Sequence, residues 1–542
     1  MKDPAARARA AVARLFHASP VHALTLKGRT PGEPVPGIAQ SWPGDPGAGA
    51  DIMAGGFVFA GEAEAAGPGL WPRARLDDGW AAALHGFGWL DDLRAEGSDA
   101  ARLLACELIA GWLAEYRRWE EAAWRPDALA RRIAAWLAHY DFYASEAGPE
   151  LRAALRRSLA EQARHLARVA PGPEDGLTRL RVAKALTLAA LSFPRGGPRL
   201  GPATRLVEAE ADRQVLADGG HASRNPAALL AALELLIDMR AAFMAAAEPP
   251  PHALLSAIDR AAPALRFLRH GDGRLAVFNG GGEESARDIE SVLGRAEAPG
   301  RGPEGLPHSG YQRLAAGDTA VFADTGPPPP PGLDRYAHAG TLGFEMSVGE
   351  ERLIVSCGAH GGDAAHWRPA QRATAAHSTL VVAETNSADW APDGRLVRRP
   401  RDVTWRRDES EDGTVLELGH DGYVEPFGLV HRRRLYLARD GSDLRGEDSL
   451  LGPGEHAVAV RFHLHPEVRA SLVQTGDGAL LRLPGGSGWR FQASGGEPRL
   501  EESVYLGRDG RPRRTEQIVL SATVTRGGPA IKWAIRRIAD RG

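Results

Sequence analysis

The chain has 542 residues, of which 43% are hydrophobic and 25% are charged. This composition is ordinary for a globular protein, and the length exceeds what a single core usually fills, so two or more domains are expected. The formal net charge of -3 gives no overall attraction to nucleic acid or to anionic membranes. Both are therefore excluded as general partners, and an anionic ligand needs a local cluster of cations. Composition leaves the oligomeric state open.

The first 98 residues show no clear helical or strand periodicity and are predicted to lead into a helical domain. Arginines interrupt each apolar run near the start, so no secretory signal is visible and a cytoplasmic location is predicted, or a periplasmic one if the start has been trimmed. No segment reaches the roughly 18 apolar residues of a membrane span. The two cysteines, Cys106 and Cys357, are too few for a disulfide framework. The stretch GEAEAAGPGLWP is expected to be a loop.

Helical periodicity dominates from about residue 99. In ALARRIAAWLAHYDFY an apolar face recurs every three or four residues, made of Leu129, Ile133, Trp136, Leu137 and Tyr140. Proline at position 126 suits the first turn of this helix, because its missing N–H would be unpaired there. Further runs such as LRAALRRSLAEQARHLARVA predict successive helical hairpins over residues 99–300. Periodicity alone leaves a bundle, a solenoid or a toroid open.

The pattern changes near residue 300, where EAPGRGPEGLPHSG and TGPPPPPGLD show no helical period. Beyond them, ten or more short β-branched or alternating runs, including TVLELGHDGY, RRRLYLARD and QIVLSATVT, are separated by turn residues. This spacing predicts an antiparallel β-sandwich over residues 301–542. The arginine run at positions 432–434 is expected at a solvated or cross-strand-paired edge.

Three polar segments stand out within this pattern. DGGHASRNP, residues 218–226, interrupts two helical runs, and such a break often lines a cleft. YAHAGTLGFE and AAHSTLVV carry histidines in the strand-rich part. In their order and context they resemble the heparinase II/III-like polysaccharide lyases, from about Leu84 to the C-terminal strands. The resemblance implies an N-terminal α/α toroid followed by a C-terminal antiparallel β-sandwich.

The resemblance also implies a chemistry. Such a lyase binds an acidic, uronate-containing polysaccharide or oligosaccharide in an interdomain cleft and cleaves it by β-elimination. The C5 proton lies beside a carboxylate, so an Asn, His or Arg must neutralise that charge while a Tyr or His moves protons. Carried over to this sequence, His221 and Asn225 are candidate catalytic residues and Arg224 is a candidate substrate ligand.

Two family landmarks are missing. The usual catalytic tyrosine should fall near Ala228, and the usual upstream neutraliser should fall in GPEDGLTRL, yet neither residue type is present. A structural alternative therefore stays open for the whole loop: Asp218 and Asn225 cap helices and the glycines close a turn.

The histidine segments supply the other candidates. The resemblance puts Tyr336 where a catalytic His is usual, His338 at a second His and Gly340 at an Asp. On a strand Tyr336 and His338 would share a face, which makes Tyr336 a candidate acid/base. Tyr311 in SGYQRL is a second candidate. For either tyrosine the alternative is an ordinary strand aromatic.

A structural divalent metal, zinc or calcium, is implied at the family's second His, together with a later Asp and His. His338 and His377 match the two histidines, but the Asp position falls near Ser356. The set would need the Cys357 thiolate to complete it. The alternative is a pair of buried histidines bonded to the backbone or to each other, and no cofactor is otherwise required.

The segment LRFLRHGDGRLAVFNGGG resembles the family's exit from the toroid, and its polar density suits saccharide or carboxylate binding. An exposed hairpin with an Asp-Gly turn is the alternative. The predicted substrate-binding residues here and in SGYQRL are Arg266, His270, Asp272, Asn279 and Arg313.

Three functions remain open on the sequence. The first is a lyase, the second is a non-catalytic glycan-binding or regulatory protein on the same fold, and the third is a hydrolase of a cell-envelope glycan. The family resemblance makes the lyase the first prediction, slightly ahead of the second function, which the missing tyrosine and neutraliser favour.

Overall fold

The computed structural model describes residues 4–40, 42–59, 62–65, 70–73, 78–170, 176–195, 197–298, 300, 302–360, 367–525, 528 and 530–539. The chain forms two compact units. The first is Met1–Asp212 with Glu234–Ser256, and the second is Arg213–Leu233 with Ala257–Gly542. The division into segments 1–98, 99–300 and 301–542 stays a prediction.

The first unit is mostly helical, with one antiparallel hairpin. Its helices within residues 1–212 are α1 (Pro4–His17), α2 (Pro20–Leu26), α3 (Pro46–Met53), α4 (Leu70–Arg73), α5 (Asp78–Gly86), α6 (Leu90–Glu96), α7 (Asp99–Tyr116), α8 (Pro126–Ala138), α9 (Tyr140–Ala144), α10 (Pro149–Arg168) and α11 (Gly176–Ser192). The hairpin pairs β1 (Gly56–Phe59) with β2 (Glu62–Ala65). Within GEAEAAGPGLWP, residues 62–65 are thus strand and residues 70–72 are helix, contrary to the predicted loop, while Gly61 and residues 66–69 lie outside the described part.

The predicted apolar face of α8 is buried. Leu129, Ile133, Trp136 and Leu137 all lie in the core, and proline occupies the first turn. The helix ends at Ala138 because His139 leaves the helical conformation. Tyr140 therefore begins α9 and does not extend the face of α8.

Three helices carry the chain between the units, and the second unit adds three more and a short 3-10 helix. These are α12 (Leu200–Gln214), α13 (Pro226–Ala245), α14 (His252–Phe267), α15 (Ala286–Ala296), α16 (Trp367–Arg372), α17 (Val424–Phe427) and the 3-10 turn Thr374–Ala376. No helix in the described part of the chain is long and apolar enough to cross a membrane.

The second unit is built on antiparallel strands. In chain order they are β3 (Gly305–Leu306), β4 (Tyr311–Ala316), β5 (Thr319–Asp324), β6 (Phe344–Val348), β7 (Glu351–Val355), β8 (Leu380–Val382), β9 (Asp389–Trp390), β10 (Leu396–Arg398), β11 (Val403–Glu409), β12 (Gly413–Tyr423), β13 (Leu429–Ala438), β14 (Asp443–Leu451), β15 (Glu455–Leu464), β16 (Arg469–Leu472), β17 (Gly478–Arg482), β18 (Gly488–Ser494), β19 (Glu497–Tyr505), β20 (Arg513–Thr525) and β21 (Ile531–Arg537).

Most of these strands form two sheets. One has eight strands in the order β11-β12-β13-β14-β21-β18-β17-β16. The other has nine, in the order β19-β20-β15-β7-β6-β5-β4-β3 with β8 beside β15, while β9 and β10 pair separately. One buried core draws side chains from both sheets. For example, Phe344 stacks on Trp533 with ring centroids 5.3 Å apart, and Phe462 meets Trp533 at 4.8 Å.

The expectation for the arginine run is correct in the cross-strand pairing of Arg433, which lies opposite Asp448 on β14, and wrong in placing the run at an edge. Strand β13 is internal to the eight-stranded sheet, so its alternation sends Arg433 to the core side while its two arginine neighbours face solvent. The Arg433 guanidinium donates to both carboxylate oxygens of Asp448, at 2.8 and 3.1 Å. It also donates to the carbonyls of Leu342 and Ser378, both at 2.8 Å. This buried ion pair is thus fully hydrogen-bonded.

Candidate functional site

The DGG turn is held in place by backbone constraints. Gly219 has φ +85°, and a Cβ there would lie 1.9 Å from the carbonyl oxygen of Arg260. Only glycine fits such a position. Asp218 accepts from the Ser309 amide and hydroxyl, each at 2.7 Å. The glycines close a turn, as the structural alternative states, but Asp218 anchors a neighbouring loop and does not cap a helix.

His221 is bonded to its own loop and to the end of α12. Its Nδ1 accepts from the Ser223 amide at 3.1 Å and lies 2.7 Å from the Ser223 hydroxyl, while Nε2 lies 3.2 Å from Gln214 Oε1. These partners fix the neutral tautomer that carries its proton on Nε2. Burial lowers the pKa of His221 to about 4, so the ring is uncharged at neutral pH. Both ring nitrogens are occupied by protein groups.

Arg224 is equally engaged. It has φ +58°, lies 5% exposed and donates five hydrogen bonds of 2.5–3.0 Å. One of these reaches the Asp324 carboxylate, and the other four reach backbone carbonyls at positions 309, 310, 326 and 327. A guanidinium has five N–H groups, so none remains for a substrate carboxylate. Its five bonds join loops within the second unit, and the substrate role stays a prediction.

Asn225 caps α13, as the structural alternative predicts. Its Oδ1 accepts from the amides of Ala227 and Ala228, at 2.8 and 3.1 Å. These are two of the amides that a helix leaves unpaired at its first turn. Its Nδ2 donates to the Asn279 carbonyl at 3.1 Å, which ties the cap to the loop after α14.

Tyr311 and Asn279 lie beneath this cap. The Tyr311 hydroxyl donates to the Arg224 carbonyl and accepts from Asn279 Nδ2, which is 3.0 Å away. Asn279 Oδ1 also accepts from the His338 amide at 3.4 Å. Tyr311 is 1% exposed, and burial holds the pKa of its phenol well above the usual value. The phenol is therefore buried and protonated at neutral pH, and its catalytic role stays a prediction.

Tyr336 lies in a turn, since the strand predicted over YAHAGTLGFE begins only at Phe344. It and His338 therefore do not share a strand face. The Tyr336 side chain is 63% exposed, and the guanidinium carbons of Arg335 and Arg368 lie 5.6 and 5.9 Å from its ring centroid. A Cβ on Gly280 would lie 3.0 Å from the Tyr336 carbonyl oxygen and 3.5 Å from His338 Nε2. Tyr336 is thus near His338 while facing solvent.

His338 and His377 are neighbours, with ring centroids 5.2 Å apart. Both are buried, and burial lowers the pKa of His377 to about 3. A Cβ on Gly340 would lie 3.0–3.2 Å from three atoms of the His377 ring. The ring therefore takes up the space that the family's Asp would need, which explains why glycine stands there.

The implied metal does not fit this pair. Among the described residues, no third histidine, cysteine or carboxylate joins His338 and His377 in a ligand set. Cys357 turns to His463 Nδ1 at 3.4 Å and to Ser503, and burial raises the pKa of its thiol to about 12. The thiolate that zinc requires is thus disfavoured, and calcium prefers oxygen ligands.

Two residues of the segment after α14 are bonded to other parts of the second unit. His270 lies between Ser347 Oγ at 2.8 Å and Glu345 Oε2 at 3.0 Å. Asp272 receives two bonds from Arg352, at 2.9 and 3.2 Å. They hold the strands of the nine-stranded sheet in contact with this segment. Sequence reasoning missed Glu345, although a carboxylate within the apolar strand FEMSV is a readable signal.

Arg266 and Arg313 differ from the other predicted ligands. Within the described residues, Nη1 of Arg266 and Nε of Arg313 are buried without a hydrogen-bond partner. The Arg313 guanidinium lies 5.3 Å from the Phe322 ring centroid, and burial lowers its pKa. The part of GPEDGLTRL at residues 172–175, where a neutraliser is expected, lies outside the described residues.

A second candidate surface was not predicted. The outer side of the eight-stranded sheet carries two grooves of about 560 and 320 Å³ that share Arg434 and Glu447. Tyr436 lines one and Trp405 the other. The exposed cations along them are Arg406, Arg432, Arg434, Arg445, Lys532 and Arg536, against the acidic Glu417, Glu447 and Asp477.

Comparison with known proteins identifies the class. Residues 298–534 match the family "Heparinase II/III-like, C-terminal". The crystal structure of heparinase III superposes with a TM-score of 0.70 at 14% identity, over 85% of this chain and 77% of that one. A heparan sulfate lyase HepC mutant from Pedobacter heparinus gives 0.65 at 16% identity, over 96% and 88%. The chain belongs to the heparinase II/III-like family, and the predicted fold class of toroid followed by sandwich is confirmed.

Within that class, the chain is similar to a protein whose name concerns cell localisation and not catalysis. It is 34% identical over 527 residues to FtsZ-localized protein C of Caulobacter vibrioides (strain NA1000 / CB15N), which covers 91% of this chain and 88% of the relative. At this identity and coverage the two proteins share a family. The likeness to the solved lyases, at 14–16% identity, concerns the fold alone.

Proposed function

We propose that this protein is a binding or regulatory member of the heparinase II/III-like family that does not carry out β-elimination. The observation that supports the proposal concerns the loop at residues 218–226, the signature loop. Its polar side chains are hydrogen-bonded to other protein groups. Protein groups form hydrogen bonds with the polar side-chain atoms of His221, Arg224 and Tyr311. Groups held in this way stabilise the second unit and have no capacity left to bind a sugar carboxylate or to move its proton.

The partner we propose follows from the relative. Its printed name, FtsZ-localized protein C, associates that protein with FtsZ, and the similarity extends over 91% of this chain. We therefore propose that this protein also associates with FtsZ. Biolayer interferometry with immobilised, purified FtsZ tests this directly, with the full chain as analyte and an unrelated protein of similar charge as the reference surface. Saturable binding supports the proposal, and a response equal to the reference surface refutes it.

An acidic glycan is the second ligand we propose, at the outer side of the eight-stranded sheet. Six exposed cations line its two grooves against three acidic residues, with Tyr436 and Trp405 available for stacking on sugar rings. Most of this charge is already paired: Glu417 lies 3.8 Å from Arg434, Glu447 lies 3.7 Å from Lys532, and Asp408 lies 3.0 Å from Arg406. Asp443 pairs with both Arg445, at 2.6 Å, and Arg536, at 3.1 Å. The positive charge that is left is small and favours a weak, salt-dependent interaction.

A charge reversal tests the glycan surface. Arg432→Glu should weaken binding of a uronate polymer such as hyaluronan or polygalacturonate at least several-fold at low salt, measured by isothermal titration calorimetry. Arg499→Glu is the matched control, because Arg499 is an exposed strand arginine of the other sheet. Equal loss in both variants, or no binding by the unaltered protein, would exclude this surface as a glycan site.

β-Elimination remains the competing function, and one observation favours it. The Tyr336 phenol is accessible, at 63% exposure. The Tyr336 carbonyl oxygen lies close to Gly280, and the neighbouring Asn279 accepts a hydrogen bond from the His338 amide. A panel of anionic polysaccharides decides between the two functions, because a lyase product carries the ultraviolet absorbance of an unsaturated uronate. No absorbance, together with measurable binding, supports our proposal. Absorbance that Tyr336→Phe suppresses by about a hundredfold would establish a lyase.

A further inference from the structure

Three histidines of the first unit face one another. His17 ends α1, His22 lies in α2 and His165 lies in the last turn of α10. The ring centroids are 4.8 Å apart for His17 and His22, 5.1 Å for His17 and His165, and 5.0 Å for His22 and His165. Each ring offers one nitrogen such that all three lie within 4.8 Å of one another.

The spacing is close to that of a metal ligand set. His165 Nδ1 and His22 Nε2 are 3.1 Å apart, a hydrogen bond that a shared ion would replace. Two nitrogens bound to one tetrahedral zinc, each at 2.0–2.1 Å, are about 3.3 Å apart. The His165 ring stands at 82–84° to the other two, so nitrogens meet and ring faces do not stack. The three nitrogens, which lie within 4.8 Å of one another, must draw closer to share an ion.

The protonation state also suits a metal. Burial lowers the pKa of His17, of His22 and of His165, the last to about 3, so all three rings are neutral at physiological pH. Neutral imidazole is the form that coordinates a metal.

We propose that His17, His22 and His165 form a binding site for a borderline transition-metal ion, with Zn²⁺ as the most suitable. Three imidazoles leave a fourth coordination position for water or another ligand. Imidazole selects Zn²⁺, Co²⁺ or Cu²⁺ over Mg²⁺ and Ca²⁺, which prefer oxygen. Within the described residues, the pair of His338 and His377 lacks such a third ligand and shares no residue with the three-histidine cluster.

One nearby charge opposes the ion. Arg168 lies close enough to His22 and His165 to disfavour positive charge on either ring. Its guanidinium is held on Thr25, donating to the hydroxyl at 2.8 Å and to the carbonyl at 2.9 Å. It therefore does not occupy the space between the imidazoles. Its charge lowers the affinity for a divalent cation without blocking the site.

Metal binding would link the end of α1 to α2 and α10. Helix α2 is already bonded to α10, through Arg164 to the carbonyls of Leu26 and Arg29 and through Arg168 to Thr25. An ion shared by the three histidines adds the end of α1 to this contact. Zinc is thus expected to protect α1 from proteolysis by restraining its last turn.

Titration of the full chain tests the site. Protein prepared without a polyhistidine tag and stripped with chelator is titrated with Zn²⁺ by calorimetry and with Co²⁺ by visible absorbance. We expect one equivalent of either ion to bind, and no binding of Mg²⁺. Quenching by Cu²⁺ should also be visible in tryptophan fluorescence, since Trp119 and Trp124 lie 5.6 and 5.3 Å from His17 and His165.

Variants locate the ion. His17→Gln should weaken Zn²⁺ binding at least tenfold and abolish the zinc-dependent protection of α1 in limited proteolysis, and circular dichroism checks that the variant folds. His338→Gln and the more exposed His456→Gln should bind as the unaltered protein does. The proposal is overturned if the stripped protein binds less than a tenth of an equivalent, if His17→Gln binds normally, or if His338→Gln removes the binding.

Discussion

At the scale of single residues, the free-energy cost of burying charge explains why Arg224 in the signature loop is hydrogen-bonded to protein groups. An arginine taken out of water is stable only when its donors are paired, and Arg224 meets this condition with four carbonyls and Asp324. Releasing it to bind a substrate would leave both Asp324 and several carbonyls unpaired in the interior. The loop therefore favours one fixed arrangement.

Replacing Arg224 should test this role. Arg224→Met leaves the buried Asp324 without its cation and should lower the free energy of unfolding of the second unit by about 3–5 kcal/mol. Urea denaturation followed by circular dichroism measures the loss. Arg406→Met is the control, because Arg406 is exposed and pairs with Asp408 at the surface, and it should change stability by at most about 0.5 kcal/mol. A loss below about 1 kcal/mol in Arg224→Met would contradict the structural role.

Gly340 gives a second prediction at this scale. Gly340→Ala places a Cβ 3.0–3.2 Å from the His377 ring and should cost about 1–3 kcal/mol of stability. If the ring is the cause, the same substitution made in a His377→Ala background should cost much less, which a double-mutant cycle of thermal unfolding measures. Costs that simply add would place the conflict elsewhere.

At the scale of elements, the start of α13 separates capping from catalysis. Asn225→Ala removes the acceptor for two helix amides and should cost about 1 kcal/mol, whereas Asn225→Ser keeps an acceptor and should cost clearly less. Thermal unfolding of both variants gives the comparison. Equal destabilisation by Ala and Ser would show that the bond from Asn225 to the Asn279 carbonyl, which both lose, matters more than the cap.

The elements also show what local sequence can and cannot predict. Period-two alternation in TVLELGHDGY and RRRLYLARD identified β12 and β13, because alternation reflects burial of one face. The same alternation places Arg433 with Leu435 and Leu437 on the core side, a signal that the run of three arginines concealed. YAHAG has small residues and no alternation, so its prediction as strand depended on the family resemblance and was wrong.

At the scale of the molecule, the fold class was predictable and the partners of individual residues were not. The change from helical to strand periodicity near residue 300 is a local property of the chain. That Arg224 meets Asp324, or that His17 and His22 meet His165, depends on contacts more than 80 residues apart, which no local pattern encodes. The candidate residues were therefore found, but their roles depended on long-range packing.

The buried histidines give a prediction for the whole molecule. Burial lowers the pKa of His85, His165 and His377 to about 3 and that of His221 and His463 to about 4. In the unfolded chain a histidine titrates near 6.5. Below that pH the histidines bind protons in the unfolded state but not in the folded state. Their contribution to the free energy of unfolding is therefore fully present above about pH 6.5 and is lost as the pH falls towards 4.

Each such histidine contributes a slope of up to about 1.4 kcal/mol per pH unit in that window. The urea midpoints should therefore be nearly constant between pH 7 and 8 and should fall steeply between pH 6 and 5, before most carboxylates titrate. Replacing one ring, as in His221→Gln, should flatten the dependence of the second unit by up to one proton, even if the variant is less stable overall. Midpoints that stay constant down to pH 5 would mean that these rings accept protons in the folded protein, and burial would then not keep them neutral.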